Sequence, residues 1–186
     1  MTIQEAIKEA HDCAVAHKLY DPPPSVPALL ALINTELSEV IKADRKERYF
    51  RNLKWSGKSP LITDFLLWPD FYQAYACFVK NTLESGLADA CIRIFDLAGR
   101  LGFELEISPI QIVETDIPGN IMEAMSQIGF AYAETRTTNP SISVNLDAAL
   151  GIIFAIAKKL DFDLWQHIEA AMRYNWLREV KHGKKY

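Results

Sequence analysis

The sequence predicts an all-α protein, a bundle of about five to six helices. Apolar residues recur at helical spacing along almost the whole chain, and no segment between turn signals has four strictly alternating positions. The chain has 186 residues, of which 49% are hydrophobic, so it is long enough to bury one sizeable core. We therefore expect a single domain that spans residues 1–186.

The charged residues exclude several classes of protein. Lys and Arg number 20 and Asp and Glu number 24, and the net charge of -4 gives no overall attraction to nucleic acid or to an anionic membrane. No apolar run approaches the roughly 18 residues that cross a bilayer, and the N-terminus lacks the pattern of a signal peptide. We expect a cytoplasmic protein with no nucleic-acid or membrane partner.

The three cysteines are Cys13, Cys77 and Cys91, and no two of them form a CxxC pair. Each lies in an apolar helical context, and their number is odd. We interpret them as small core residues and not as disulfides or zinc ligands.

The first two helices have clear start signals. Thr2 followed by Glu5 is the pattern of a capping box, and the helix is expected to run to about Tyr20, just before three consecutive prolines. A second helix is predicted to begin in the region from Ser25 to Pro27 and to carry an apolar stripe. That stripe comprises Leu29, Leu30, Ile33, Leu37, Val40 and Ile41. Residues 52–69 contain Gly, Pro and Ser, which predicts an irregular connection.

The remaining helices are predicted from similar signals. Residues 71–101 are apolar on more than one face, which predicts a central buried helix with a break near Asn81. Residues 106–145 are rich in Pro, Ser, Thr and Asn, and one helix is expected within them, from Asn120 to about Arg136. Two further helices are predicted over 146–160 and from 164 to about 182.

Two glutamates on the second predicted helix are candidates for chemistry. Glu36 lies about 20° around the helix from Leu29, at the edge of the apolar stripe, so it is partly desolvated and needs a partner. Glu39 follows three residues later, about 60° away, close enough for both carboxylates to share one cation. The alternative is a solvated face on which Glu39 pairs with Lys42 or Arg45.

A second polar line follows the third block. Asp89, Arg93 and Asp96 lie at i, i+4 and i+7, opposite the apolar positions 87, 91, 94 and 98. In a helix that is buried on both sides, this line must face a satisfied hydrogen-bond network or a site. A surface ion pair between Asp89 and Arg93 is the alternative, and the spacing does not choose between the two.

The end of the chain concentrates basic residues. Cations, an amide and aromatic side chains occur together from Arg173 to Tyr186. Arg and Lys suit phosphate, and Tyr or Trp can stack on a base. Cations also simply favour the C-terminus of a helix.

Several catalytic motifs are absent from the sequence. It contains no P-loop, GxGxxG, HExxH or GxSxG motif. A di-iron carboxylate centre takes Glu-x-x-His from two helices, and Glu179 with His182 is the one such pattern in the sequence, so this centre is not expected. The histidines show no metal-ligand spacing with one another, and each is interpreted as a packed or surface residue; they are His11, His17, His167 and His182.

Four segments together resemble a known family, the MazG-like members of the all-α nucleoside triphosphate pyrophosphatase superfamily. The segments are residues 11–17, 31–39, 87–99 and 174–186. They cover both ends and the centre of the chain in the family's order. Residues from about 106 to 160 look like a helical insertion before the C-terminal helix.

The resemblance implies a dimeric or higher homo-oligomeric bundle that hydrolyses a nucleoside triphosphate to the monophosphate and pyrophosphate with Mg²⁺, or with Mn²⁺. By position, Glu36, Glu39 and Asp89 match the family's metal-binding and catalytic acids. The residues expected to bind the nucleotide substrate are Arg93, Tyr174, Asn175, Arg178 and Lys181.

Two positions depart from the family's pattern. Gly86 stands where family members usually have a Glu three residues before the Asp, and Ala171 stands where they tend to have Lys. Glu84 is the nearest acid, but it lies about 140° around the helix from Asp89. The alternative function is therefore a catalytically weakened member that binds a nucleotide or a partner without efficient turnover. A purely structural helical domain is a third possibility.

Overall fold

The computed structural model describes residues 1–53, 61–110, 116–137 and 141–180. All regular secondary structure in these ranges is helical, so the all-α prediction is confirmed. The described residues form eight α-helices, more than the five to six expected, because two short helices precede the central one. They are α1 (Ile3–Ala16), α2 (Val26–Asp44), α3 (Ile62–Leu66), α4 (Phe71–Ala74), α5 (Leu83–Leu101), α6 (Ile117–Glu134), α7 (Ile142–Lys159) and α8 (Leu164–Trp176).

Helices α1 and α2 begin where the sequence predicts. Glu5 donates its backbone N–H to the Thr2 hydroxyl, and Thr2 donates its N–H to the Glu5 carboxylate, which completes the predicted capping box. At the start of α2, the Ser25 hydroxyl accepts from the backbone N–H of Ala28. Helix α1 ends at Ala16 and not at about Tyr20, because Lys18 adopts a positive φ of 56°, which interrupts the helix.

The predicted break near Asn81 is confirmed. Helix α4 continues into one turn of π-helix over Tyr75–Val79, Asn81 adopts a positive φ of 65°, and α5 begins after Thr82. Within 52–69, predicted to be irregular, α3 forms because Phe65 is buried against the edge of Phe50, with ring centroids 5.5 Å apart.

Helix α5 lies at the centre of the bundle and packs against α1, α2, α7 and α8. Most of its residues are buried, as predicted, and two of them are carboxylates, Glu84 and Asp96. Glu84 accepts hydrogen bonds from the backbone N–H groups of Phe50 (2.7 Å) and Arg51 (3.3 Å). Burial raises the pKa of Glu84, and these hydrogen bonds oppose that rise. The side chain thereby holds the 3-10 turn Phe50–Asn52 against α5.

The segment 106–160 contributes two long helices, and both begin earlier than predicted. Helix α6 begins at Ile117 and not at Asn120, because Asp116 is the cap and accepts from the N–H of Gly119 at 2.7 Å. Helix α7 begins at Ile142 and not at 146. Helix α6 packs against α7 and α2, and α7 also contacts α5, so this pair adds a layer to one side of the bundle.

Two smaller expectations have mixed outcomes. Cys13 and Cys91 are buried, as predicted, but Cys77 is exposed because it lies on the outer side of the π-helical turn. Helix α8 ends at Trp176, earlier than the predicted 182. Among the described residues, no helix combines the length and the apolar character needed to span a membrane.

Candidate functional site

A pocket lies between α1, α2, α5 and α8, and six charged side chains line it. They are Glu36, Lys80, Asp89, Arg93, Asp96 and Arg178. The enclosed space has a volume of about 70 Å³. This is room for a few water molecules and is well below the roughly 300–1,000 Å³ of a typical small-molecule site.

The pocket collects most of the residues singled out from the sequence. Glu36, Asp89, Arg93, Asn175 and Arg178 all line it. They come from α2, from α5 and from the end of α8, and the packing of these helices brings them together. The other residues are placed elsewhere: Glu39 and Tyr174 do not line the pocket, and Lys181 lies outside the described residues.

Two ion pairs cross the pocket. The Arg93 Nε lies 3.3 Å from the Glu36 Oε1, and the Lys80 Nζ lies 3.3 Å from the Asp89 Oδ2. The four side chains are only 18% to 29% exposed, so these pairs are much less screened than surface pairs. Glu36 thus has the partner that its position required, and Asp89 pairs with Lys80 instead of Arg93.

Glu39 lies on the outer side of α2. Its carboxylate pairs with the Nζ of Lys42 at 3.0 Å and is 48% exposed, the arrangement given above as the alternative. The rotation of about 60° from Glu36 is enough to separate the two glutamates. Over the described ranges, no group of three or more His, Cys, Asp or Glu side chains is arranged to hold a metal ion.

The two positions that depart from the family's pattern are occupied by core packing. A Cβ on Gly86 would lie 2.8 Å from the Cγ2 of Val40, so α5 and α2 approach closely there and a side chain at 86 would meet α2. Ala171 is buried in the core. Glu84 binds the Phe50 and Arg51 amides and does not reach the pocket. None of these positions contributes a charge to the pocket.

A buried carboxylate also lines the pocket. Asp96 is 5% exposed, and its Oδ1 lies 2.6 Å from the Tyr20 hydroxyl and 3.1 Å from the Nδ1 of His11. Burial raises the pKa of Asp96, while the hydrogen bonds from Tyr20 and His11 oppose this. The small or apolar residues that line the pocket are Ala10, Cys13, Ala14, Leu19, Ile92 and Met172.

Tyrosine rings position two of the cations. Tyr174 stacks against Tyr72 and against Tyr75, with centroid distances of 4.9 and 4.6 Å. The Lys80 Nζ and the Arg178 Cζ lie 5.5 and 5.8 Å from the Tyr174 centroid, within cation–π range. Tyr174 therefore acts on the pocket through these cations and not as part of its wall.

Sequence reasoning missed Lys80 and did not assign Asp96 a role in the site. Lys80 reaches Asp89 because the chain turns sharply at Asn81, and a helical wheel drawn across that break does not show the contact. The sequence did indicate a position for Asp96, because helical spacing places it on the same polar line as Asp89 and Arg93. The Tyr20 and His11 contacts to Asp96 had no signal in the sequence.

The pocket offers anion binding more readily than covalent catalysis. Its cysteine, Cys13, has a pKa raised to about 11 by burial, so the thiol stays protonated near neutral pH and is a poor nucleophile. Three cations and the Asn175 amide supply hydrogen-bond donors. Comparison of the chain with models of protein families, with characterised proteins and with solved structures finds no match.

Proposed function

We propose that the pocket binds a nucleoside triphosphate through its phosphates and that the protein turns this ligand over weakly or not at all. Lys80, Arg93 and Arg178 support phosphate binding, because ammonium and guanidinium groups make charge-assisted hydrogen bonds to phosphate oxygens. The protein is then a catalytically weakened relative of the MazG-like pyrophosphohydrolases that its sequence resembles.

The observation that carries this proposal is the pairing of both central carboxylates. Glu36 is held by Arg93 and Asp89 by Lys80. Hydrolysis at such a centre needs carboxylates that are available to hold a cation and to activate water. Glu39 faces away from the pocket, so no third acid from α2 compensates.

Ligand entry requires an exchange of partners. A phosphate competes with Glu36 for Arg93 and with Asp89 for Lys80. Because the enclosed space is only about 70 Å³, these long side chains must move before a nucleotide fits. The released carboxylates then need another cation, since an unpaired, half-buried charge is costly. We therefore expect a divalent cation to strengthen nucleotide binding.

A second candidate function is Mg²⁺-dependent nucleoside triphosphate pyrophosphohydrolysis, which releases pyrophosphate and the monophosphate. It is favoured by Glu36 and Asp89 lining one pocket although they come from different helices. Mg²⁺ is commonly bound by one or two carboxylates together with substrate phosphates, so this pair fits a Mg²⁺ or Mn²⁺ ion shared with the nucleotide. When bound, the ion would neutralise part of the negative charge of the phosphates. With this function we also propose that the protein is cytoplasmic and forms a homodimer or a higher homo-oligomer.

One experiment separates the two functions. Binding of ATP, GTP, CTP, UTP and their deoxy forms is measured by calorimetry, with Mg²⁺, with Mn²⁺ and with neither. Pyrophosphate release from the same panel is measured in parallel. Binding with little or no pyrophosphate supports the weakened member, and rapid metal-dependent release supports the pyrophosphohydrolase. The absence of binding under every condition contradicts both.

Replacing Arg93 with Met tests the phosphate end of the pocket. Loss of the guanidinium removes a charge-assisted contact and leaves the Glu36 carboxylate facing the ligand, so we expect the Kd for a bound nucleoside triphosphate to rise about 10- to 100-fold. Calorimetry measures the change.

The matched control for Arg93→Met is Lys42→Met. Lys42 also pairs with a glutamate of α2, but on the outer side of that helix. Its replacement should change the Kd less than twofold. Equal effects of the two variants would mean that net charge, and not this pocket, governs binding.

A further inference from the structure

The pocket has a charged end, which holds the ion pairs of Glu36 and Asp89. A third carboxylate, Asp96, also lines the pocket, and it forms no ion pair with Lys or Arg among the described residues. Asp96 follows Asp89 by seven residues on α5, which places it about 10 Å further along the helix axis. Asp96 is therefore within reach of the non-phosphate part of a ligand whose phosphates lie at the charged end.

The contacts of Asp96 leave one oxygen for the pocket. Tyr20 and His11 both reach Oδ1, at 2.6 and 3.1 Å. Among the described residues, none donates a hydrogen bond to Oδ2, and the side chain lines the pocket. Because two groups hold Oδ1, the direction of Oδ2 is set before any ligand arrives, which lowers the entropic cost of binding.

The contacts by which Asp96 stabilises the fold involve Oδ1 only. Tyr20 lies under the guanidinium of Arg100, at 5.0 Å from its ring centroid, and Arg100 donates to the carbonyl of Pro24 at 2.5 Å. The Tyr20 bond to Oδ1 therefore ties the turn after α1 to α5. That role explains why a carboxylate is tolerated in the core, but it does not use the second oxygen, Oδ2.

We propose that Asp96 is a specificity-determining residue that accepts, through Oδ2, a hydrogen bond from a donor on the nucleoside part of the ligand. The donor is a sugar hydroxyl or a base amino group. This inference rests on the proposed nucleotide binding and narrows it to nucleotides that carry such a donor. A ligand with an acceptor in the same place would face a buried carboxylate, which repels it.

The test is Asp96→Asn, which keeps an oxygen for Tyr20 and His11 and replaces the second oxygen with an NH₂ donor. Dissociation constants are measured by calorimetry for CTP against UTP, for ATP against ITP, and for each ribonucleotide against its 2′,3′-dideoxy form. Inorganic triphosphate probes the charged end alone. In the wild type we expect the donor-bearing member of at least one pair to bind about tenfold more tightly.

In the Asp96→Asn protein that ratio should fall to about one or reverse. The Kd for inorganic triphosphate should change no more than in the charge-matched control Asp12→Asn, an exposed carboxylate paired with Lys8. Unchanged ratios in Asp96→Asn, with triphosphate still bound, overturn this inference but leave the proposed function standing. Failure of the wild type to bind any nucleotide or triphosphate overturns both.

A second variant keeps the test decisive if Asp96→Asn does not fold. Tyr20→Phe retains the carboxylate but removes one of the two groups that hold Oδ1. As a positioning residue, Tyr20 should affect the ratio between paired nucleotides and not the Kd for inorganic triphosphate. A folded Tyr20→Phe protein with wild-type ratios, together with an unfolded Asp96→Asn protein, would assign Asp96 a purely structural role and contradict the inference.

Discussion

A glutamate introduced at position 86 is expected to destabilise the protein and not to restore a metal ligand. The new Cβ would lie 2.8 Å from the Cγ2 of Val40, where α5 and α2 are in close contact. Overpacking and the burial of an unpaired carboxylate together cost about 3–5 kcal/mol or more. For a chain of this size, that corresponds to a fall in Tm of roughly 10 °C. Thermal and urea unfolding of Gly86→Glu measure it.

The matched control is Gly129→Glu on α6. A Cβ at Gly129 meets no atom within 4 Å, so glutamate gains helix propensity there without a clash. We expect this variant to be as stable as the wild type or about 0.5–1 kcal/mol more stable. We infer that the close packing of α2 and α5 excludes a carboxylate at position 86. A Gly86→Glu protein that has wild-type stability and releases pyrophosphate with Mg²⁺ would contradict this.

This expected result changes how the weakened-enzyme proposal should be tested. From the sequence, Gly86→Glu with Ala171→Lys looks like a restoration of two missing charges. In the fold, Gly86 contacts Val40 and Ala171 is buried, so both charges would enter the core. The direct measurement of pyrophosphate release is therefore the better test.

Acid is expected to destabilise the protein through His167. This side chain is buried between the edges of Phe50 and Phe162, and its Nδ1 has no hydrogen-bond partner in the described part of the chain. Burial lowers the pKa of His167 from its usual 6.5 to about 4. Between these values the unfolded chain binds a proton that the folded protein excludes. The free energy of unfolding therefore falls by about 3 kcal/mol as the pH drops from 6.5 to 4.

His167→Leu isolates this contribution, because leucine has a similar volume and does not titrate. Urea unfolding of both proteins at several pH values gives the difference between their stabilities. That difference should be constant above pH 7 and should shift by about 3 kcal/mol in favour of the variant at pH 4. Asp96 and Glu84 have pKa values raised by burial and act in the opposite direction, but both proteins retain them. Parallel stability curves would contradict the assignment to His167.

Local patterns predicted the parts of the fold that depend on nearby residues. The capping box of Thr2 and Glu5 and the apolar stripe of α2 depend on residues within one or two turns, and the structure has both. Helix boundaries were less accurate where a cap lay outside the expected pattern. Asp116 starts α6 before Asn120, and the left-handed Lys18 ends α1 before Tyr20.

The candidate site was partly predictable for the same reason. Periodicity placed Glu36 at the edge of an apolar stripe and Asp89 on a polar line, which indicates that each needs a partner. It did not identify the partners. Arg93 reaches Glu36 from another helix, and Lys80 reaches Asp89 across the break at Asn81. These contacts depend on how helices pack and turn, which spacing within one helix does not encode.

The sequence by itself determined the all-α class, the principal helices and which partly buried acids need a charged or hydrogen-bonding partner. It could do so because helical periodicity depends on residues that are close together in the chain. Only the tertiary structure decided which charges share a pocket. The close approach of α2 and α5 at Gly86 leaves no space for a carboxylate at position 86, and the rotation of α2 turns Glu39 toward solvent. The packing also places Asp96 beside Tyr20 and His11, because the helices of one core must fill space jointly.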